Sequence, residues 1–508
     1  SVSLGWFEES ELPRQPSKEV LLHIYDTNVS KLQADLYRVN TLTGKRALVL
    51  RNSDQFDEWQ TDPHGRARLA SKLTGTTVKL YHRTVESAPW ELIRETDLSK
   101  DHFESVCFDA DEATIWAKLI SATGRQGLFK LHLPSKQLSE CIAQDEKYDI
   151  NGVIRQRWNA SIAGYSCEGE KWNDHWFEPD LAQIIARVEL TFPGQKCSLA
   201  SSSADRGVLV LRVWGDREPG RYFLYDRSEK KLEVVGVERP EINSTRLAPM
   251  EPFRIKARDG LELEGYFTPP AVPSGQKPPL IVYPHGGPWA RDSWGFDQTV
   301  QFLASRGYAV LQLNFRGSTG YGYAFWRAGI RQWGLKMQDD ITDAVKWCLD
   351  QGMADPKRVA IFGASYGGFA ALAGLLFTPE LYRCGVSYAG VTDVGLLTTT
   401  LSYDERPRAA YLSLLVGDPN TEKEYIRQVS PLNHLAALRA PLFLAYGFRD
   451  RRVNIKHANE LMAELKRLQK PYEVMIKDNE GHGYQMRENV VEFYTKLEAF
   501  LAKHLATN

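Results

Sequence analysis

The sequence predicts an all-β propeller followed by an α/β domain with a mostly parallel sheet and helices on both faces. Three observations predict it. In residues 1–248 an aromatic position recurs at Tyr37, Tyr81, Phe129, Phe177 and Tyr225, in steps of 44, 48, 48 and 48 residues. In residues 249–508 short apolar runs alternate with helical stretches. Between one such run and one such stretch stands Gly363-Ala364-Ser365-Tyr366-Gly367.

The first half reads as many short strands, with frequent aromatics and turns of Asp, Gly, Asn and Ser. Units appear at Leu36-Tyr37-Arg38-Val39 with Thr43-Gly44-Lys45, at Leu80-Tyr81-His82, at Leu128-Phe129-Lys130-Leu131 with Ser135-Lys136, and at Phe223-Leu224-Tyr225-Asp226 with Glu229-Lys230. Trp176-Phe177-Glu178-Pro179 is a weaker copy. Acidic turns precede some of them: Asp62-Pro63-His64-Gly65, Asp109-Ala110-Asp111-Glu112 and Ala204-Asp205-Arg206-Gly207. A period of about 40–50 residues with several strands per unit is the mark of propeller blades. At least five blades are visible, and a truncated N-terminus is expected to lack a further partial one.

The boundary is expected near Arg246–Glu251. Beyond it, Phe253–Lys256 and Leu261–Phe267 flank the turn Asp259-Gly260. The runs at 280–283, 309–313, 359–362, 386–388, 442–445 and 474–476 suit strands buried on both faces of a parallel sheet. Gln298–Ser305, Asp340–Gln351, Phe369–Phe377 and Ile455–Gln469 read as the helices between them. Pro269–Pro279 reads as a loop.

Composition narrows the function. The chain has 508 residues, 63 Lys+Arg against 64 Asp+Glu, and a net charge of −1. That balance gives no reason to expect nucleic acid or an anionic membrane as a partner. The six cysteines form no Cys-x-x-Cys pair and no zinc spacing, and are expected as buried thiols in a reducing, cytoplasmic compartment. No run of 18 apolar residues spans a membrane. The start lacks Met and reads as processed or truncated, which keeps secretion after signal removal open.

The chemistry gathers around Ser365. A strand (Val359–Phe362), Gly-x-Ser-x-Gly and then an Ala/Leu-rich helix make a nucleophile elbow, the mark of an α/β-hydrolase. A serine needs a base, and the base an orienting carboxylate; in this fold they follow in the order Asp/Glu, then His. Asp450 stands just past the strand ending at Gly447, and His482 stands between glycines after the last strand. Asp393 is the rival acid, read as a loop residue, and His457 reads as structural. The oxyanion hole is assigned to the backbone N–H of Tyr366 and that of Gly287 in His285-Gly286-Gly287-Pro288, with Gly286 as the alternative donor; the side chains of Tyr283 and His285 read as loop support. No metal or organic cofactor is needed.

These pieces, with Asn314-Phe315-Arg316-Gly317-Ser318-Thr319-Gly320-Tyr321-Gly322, Trp333-Gly334, Asp340 and Ser430-Pro431, resemble the prolyl oligopeptidase family of serine peptidases, especially its acylaminoacyl- and dipeptidyl-peptidase branches. The resemblance covers nearly all of 250–508. It implies an active site in the cavity between propeller and sheet, and short peptides as substrates. It also implies an apolar pocket for the residue before the scissile bond, lined by Val391 and the Tyr366 ring with Leu396 or Leu397. Glu8-Glu9 and Glu168/Glu170 are candidates for binding a substrate amine, read as solvated charges. Arg449, Arg451 and Arg452 are candidates for a substrate carboxylate, read as surface groups. The alternative activity is an esterase on the same triad, and the propeller favours the peptidase. Homo-oligomer formation is left open.

Overall fold

The computed structural model describes residues 18–25, 34–155, 162–273, 275–400 and 409–506. Among the described residues the first half of the chain forms five small antiparallel sheets, the blades of a propeller. The first holds β1 (Glu19–Tyr25), β2 (Ala34–Asn40) and β3 (Arg46–Leu50). The second holds β4 (Glu58–Thr61), β5 (Ala67–Thr74), β6 (Thr77–His82) and β7 (Glu91–Asp97). The third holds β8 (Phe103–Phe108), β9 (Thr114–Ile120), β10 (Gln126–His132) and β11 (Gln137–Leu138). The fourth holds β12 (Ile150–Arg155), β13 (Ile162–Glu168) and β14 (Trp172–Trp176). The fifth holds β15 (Lys196–Ser202), β16 (Val208–Gly215), β17 (Glu218–Asp226) and β18 (Lys231–Val237).

The repeat has a structural cause. Tyr81, Phe129 and Tyr225 lie on β6, β10 and β17, the third strand of their sheets, and Phe177 directly follows the third strand of its own. The acidic turns at Asp62, Asp109 and Asp205 all join the first strand of a sheet to the second. Asp62 shows why an acid stands there: its Oδ1 accepts from the N–H groups of His64 and Arg66 at 3.0 Å each, closing the turn from within.

The fourth blade departs from the expected run of strands. After β14 the chain forms a helix, α1 (Pro179–Thr191), not a fourth strand. Pro179 opens it without losing a needed N–H. Leu181, Ile185 and Val188, at helical spacing, are buried against Ala163, Leu209 and Phe223.

The second half is built on one eight-stranded sheet in the order β19-β20-β22-β21-β23-β24-β25-β26. Its strands are β19 (Glu251–Lys256), β20 (Glu262–Thr268), β21 (Leu280–Val282), β22 (Ala309–Asn314), β23 (Val359–Ala364), β24 (Cys384–Tyr388), β25 (Leu442–Gly447) and β26 (Tyr472–Lys477). β19 and β20 form a hairpin, β20 meets β22 antiparallel, and every pairing from β22 to β26 is parallel. Helices α2 (Gln298–Ser305), α3 (Tyr323–Arg327), α4 (Lys336–Asp350), α5 (Tyr366–Phe377), α6 (Val394–Thr399), α7 (Ala409–Val416), α8 (Lys423–Val429), α9 (Lys456–Arg467) and α10 (Arg487–Leu505) complete the layers. One apolar core includes β22, β25, α4 and α5; a second, on the opposite face, includes α2 and α10. Both faces of β21, β22 and β25 are buried, as their unbroken apolar runs require.

The halves are joined by polar contacts. Asp149 donates its N–H to the Gly320 carbonyl at 2.9 Å, and its Oδ2 accepts from the Gly322 N–H at 2.9 Å. Tyr323 N–H donates to Gly124 O, Tyr148 Oη lies 3.1 Å from both carboxylate oxygens of Glu264, and Lys147 pairs with Glu264 at 2.7 Å. The cysteines are all free thiols; five are buried, and Cys141, against expectation, is exposed. Among the described residues no helix is long and apolar enough to cross a membrane.

Candidate active site

Ser365 stands between β23 and α5 with φ 58° and ψ −118°, a left-handed conformation rarely adopted by a residue with a side chain. The elbow is held from both sides. Ser365 donates its N–H to the Tyr388 carbonyl at 2.8 Å and accepts from Phe369 N–H at 3.1 Å. The two glycines are there because the backbone closes on itself. A Cβ on Gly363 would lie 2.4 Å from the Gly367 carbonyl, and one on Gly367 would lie 2.2 Å from Pro284 O.

Asp450 follows β25 and His482 follows β26, so adjacent parallel strands deliver both to one end of the sheet. Asp450 Oδ2 and His482 Nδ1 are 2.7 Å apart, and the Asp450 side chain is fully buried. Asp450 Oδ1 accepts from the N–H groups of Arg452 and Val453 at 2.8 and 2.9 Å. A carboxylate only accepts, so His482 Nδ1 carries the proton and Nε2 is left as the basic nitrogen.

Two residues that sequence reasoning missed hold this corner. Tyr388, whose carbonyl bonds the elbow, also accepts the Tyr484 N–H on its hydroxyl and so ties the His482 loop to Ser365. Glu480 is buried and gathers that loop onto α10: it accepts from the N–H groups of Gln485 and Met486 at 2.9 Å each and from Asn489 Nδ2 at 2.7 Å. Burial alone would raise its carboxyl, but these donors hold it below the usual range. The Glu480 carbonyl accepts Arg449 N–H at 2.8 Å, linking the two loops. An acid between a strand and a helix was the sole sequence signal for Glu480; Tyr388 had none.

The loop after β21 brings Gly286 against the elbow: a Cβ there would stand 3.6 Å from Ser365 Cβ. His285 is buried, stacked on Phe315 at 4.2 Å, and burial pushes its pKa down to about 4. It is therefore neutral. Its Nδ1 lies 2.8 Å from Gly286 O and its Nε2 2.9 Å from Ser318 Oγ. Nδ1–H donates to the Gly286 carbonyl, and Nε2 accepts from the Ser318 hydroxyl, whose one proton is shared with the Phe315 carbonyl at 2.7 Å. The Gly286 carbonyl and the Gly287 N–H share a trans peptide plane and point opposite ways, so the ring that fixes one aims the other.

Tyr366 begins α5, where its N–H has no intrahelical partner. Its ring is buried by Trp333, Phe315 and Phe369 at centroid distances of 4.6, 5.2 and 5.6 Å. Its hydroxyl is buried with no hydrogen-bond partner among the described residues. Val391 and Leu397 are buried in the same apolar cluster, and Leu396 is half-buried on α6. Asp393 is a helix cap, accepting from Leu396 N–H at 2.7 Å. His457 is buried and bonded through Nδ1 to Thr392.

The charged candidates separate. Glu168 is not a solvated charge: it is buried, accepts from Asn151 Nδ2 at 2.9 Å and lies 3.8 Å from the guanidinium of Arg291. Arg291 also donates to the carbonyls of Glu168 and Gly169, so the loop beyond Pro288 is tied to the fourth blade. Glu170 pairs with Arg254 at 2.7 Å. Glu8-Glu9 lies outside the described residues. Arg449, Arg451 and Arg452 are exposed. Next to Arg291, burial reinforced by the Asp297 charge pushes the Asp292 carboxyl up to about 8.

Known proteins place the chain among relatives. The family model described as prolyl oligopeptidase family matches residues 294–508. The chain is 30% identical over 488 residues to dipeptidyl aminopeptidase BIII of Pseudoxanthomonas mexicana, covering 93% of this chain and 70% of that one. It is 27% identical to dipeptidyl peptidase family member 6 of Caenorhabditis elegans, covering 96% of this chain and 70% of that one. The solved structure of a Mycobacterium tuberculosis puromycin-hydrolyzing peptidase is similar in fold, with a TM-score of 0.76 at 21% identity over 99% of this chain and 80% of that chain. A propeller joined to an α/β sheet with a serine elbow, and a likeness to a peptidase running through nearly the whole chain, lead to one conclusion: the chain belongs to the prolyl oligopeptidase family and is a serine-type peptidase.

Proposed function

We propose that this peptidase releases short units from the N-termini of small peptides, dipeptides foremost, with residues 1–248 as the propeller domain and 249–508 as the catalytic domain. The observation that carries the reading is the reach of the likeness. Both dipeptidyl relatives match over 93% and 96% of the chain, through the propeller as well as the sheet.

In this reading Ser365 Oγ attacks the scissile carbonyl, and His482 Nε2 takes its proton and returns it to the leaving amine. Asp450 holds the tautomer and steadies the imidazolium. The N–H groups of Tyr366 and Gly287 receive the developing oxyanion. Water then hydrolyses the acyl-Ser365 ester by the same steps in reverse. Val391, Leu396 and the Tyr366 ring take the side chain before the scissile bond. Support comes from the Asp450–His482 pair, the strained elbow and the neutral His285 that aims the Gly287 peptide.

The test is a chromogenic panel: a free-amine dipeptidyl anilide, an N-acyl-aminoacyl anilide, an unblocked aminoacyl anilide and a short-chain nitrophenyl ester. The expected result is fastest turnover of the dipeptidyl anilide, reduced roughly 10⁶-fold in kcat by Ser365→Ala. Preference for the acylated anilide would assign the chain to the other branch, and turnover of the ester alone would make it an esterase.

A further inference from the structure

The fourth blade gathers three side chains that no catalytic step uses. Asp145 lies between β11 and β12, Cys167 on β13 and His175 on β14; one donor atom from each falls within 4.8 Å of the other two. The residues are separated by 22 and then 8 positions, which is no recognised metal spacing, so only the fold brings them together.

The local structure presents these donors to one point. In the β13–β14 register Tyr165 faces His175 and Cys167 faces Asn173, so all four share one face of the sheet. The His175 ring is fixed by stacking on Tyr165 at 4.7 Å. Asn173 Nδ2 lies 3.1 Å from His175 Nε2; an amide nitrogen donates, so that ring nitrogen is an unprotonated acceptor, and a cation taking its lone pair displaces the Asn173 amide. Asp145 Oδ1 is engaged by the N–H groups of Lys147 and Tyr148 at 2.8 and 2.9 Å, which leaves Oδ2 facing His175 Nε2 at 4.0 Å. The thiol is buried, while Asp145 and His175 are partly exposed. A groove lined by Cys141, Tyr165, Asp174 and His175 opens to solvent beside them.

We propose that Asp145, Cys167 and His175 form a binding site for a divalent cation of the zinc class. One sulfur, one imidazole nitrogen and one carboxylate oxygen suit that class, and water from the groove supplies the fourth ligand. Ideal tetrahedral bonding would bring the donors to about 3.3–3.6 Å of one another, a closure of up to about 1.5 Å from the present spacing. Binding is written Cys167–SH + M²⁺ → Cys167–S⁻–M²⁺ + H⁺. With the Asp145 carboxylate the occupied site is neutral, and its affinity rises with pH. The cation would also brace the segment whose next residues, Tyr148 and Asp149, bond the catalytic half.

Cobalt(II) is the probe. Added to the whole chain after chelator treatment, it is expected to bind one equivalent, give a thiolate-to-cobalt charge-transfer band in the near ultraviolet and raise the melting temperature. Cys167→Ser is expected to abolish the band, and His175→Ala to weaken binding roughly tenfold or more. Ser365-dependent hydrolysis by both variants checks that they are folded; should Cys167→Ser not fold, the partly exposed His175→Ala carries the test. Absence of the band in the unaltered chain, its persistence in Cys167→Ser, or undiminished affinity in His175→Ala would overturn the site.

Discussion

The carboxylate of Asp450 gives one oxygen to its own loop and the other to His482. That division has a measurable consequence. Asp450→Asn keeps the shape but can donate to Nδ1, which favours the tautomer with the proton on Nε2. The expected loss in kcat is roughly 10⁴-fold, read with the preferred anilide, with the fold intact by circular dichroism. The elbow at Ser365 and the pairing of Asp450 with His482 could be expected from the sequence because each residue sits beside a strand end with glycines or loop residues around it. Tyr388 and Glu480 could not, since a Tyr at the end of β24 looks the same whether or not its hydroxyl meets a loop 96 positions on.

At the scale of elements, β22 runs on into the stretch that holds the oxyanion loop. Arg316 binds Asp340 of α4 at 2.7 Å and Asp259 of the β19–β20 turn at 2.8 Å, and it holds the Asp259 carboxyl far below its usual range. The Asp340 side chain is fully buried. Asp340→Ala leaves Arg316 half-partnered there, and denaturant unfolding is expected to show a loss of about 3–5 kcal/mol. Asp292 sets a pH dependence of the opposite kind. Its folded pKa, about 8, lies above that of the unfolded chain. Its contribution is therefore whole at low pH and is lost as pH rises between about 4 and 8. Asp292→Asn is expected to flatten the fall in melting temperature from pH 5 to pH 8; an unchanged slope would place that fall elsewhere. The strands of the sheet were legible because burial on both faces leaves unbroken apolar runs. Helix α1 was hidden by its surroundings: Leu181, Ile185 and Val188 carry a helical period, but they fall where the blade repeat calls for a strand.

For the molecule as a whole, the 48-residue period was readable because equivalent strands repeat the same aromatic position. The docking of propeller on sheet was not, since it rests on single residues such as Asp149, Tyr148 and Arg291 with no pattern around them. Those bonds cross between the halves, so scanning calorimetry is expected to show one cooperative transition; two separated transitions would mean that the contacts contribute little. They also bear on modularity. A cut between Val237 and Glu251 would leave Gly322 N–H and Gly320 O without their counterparts and the Glu264 carboxylate with Arg254 but without Lys147 and Tyr148, beside the loop that braces His285. The catalytic half is thus not an interchangeable cassette: a new propeller grafted onto it would first have to reproduce the grip of Asp149 on Gly320 and Gly322.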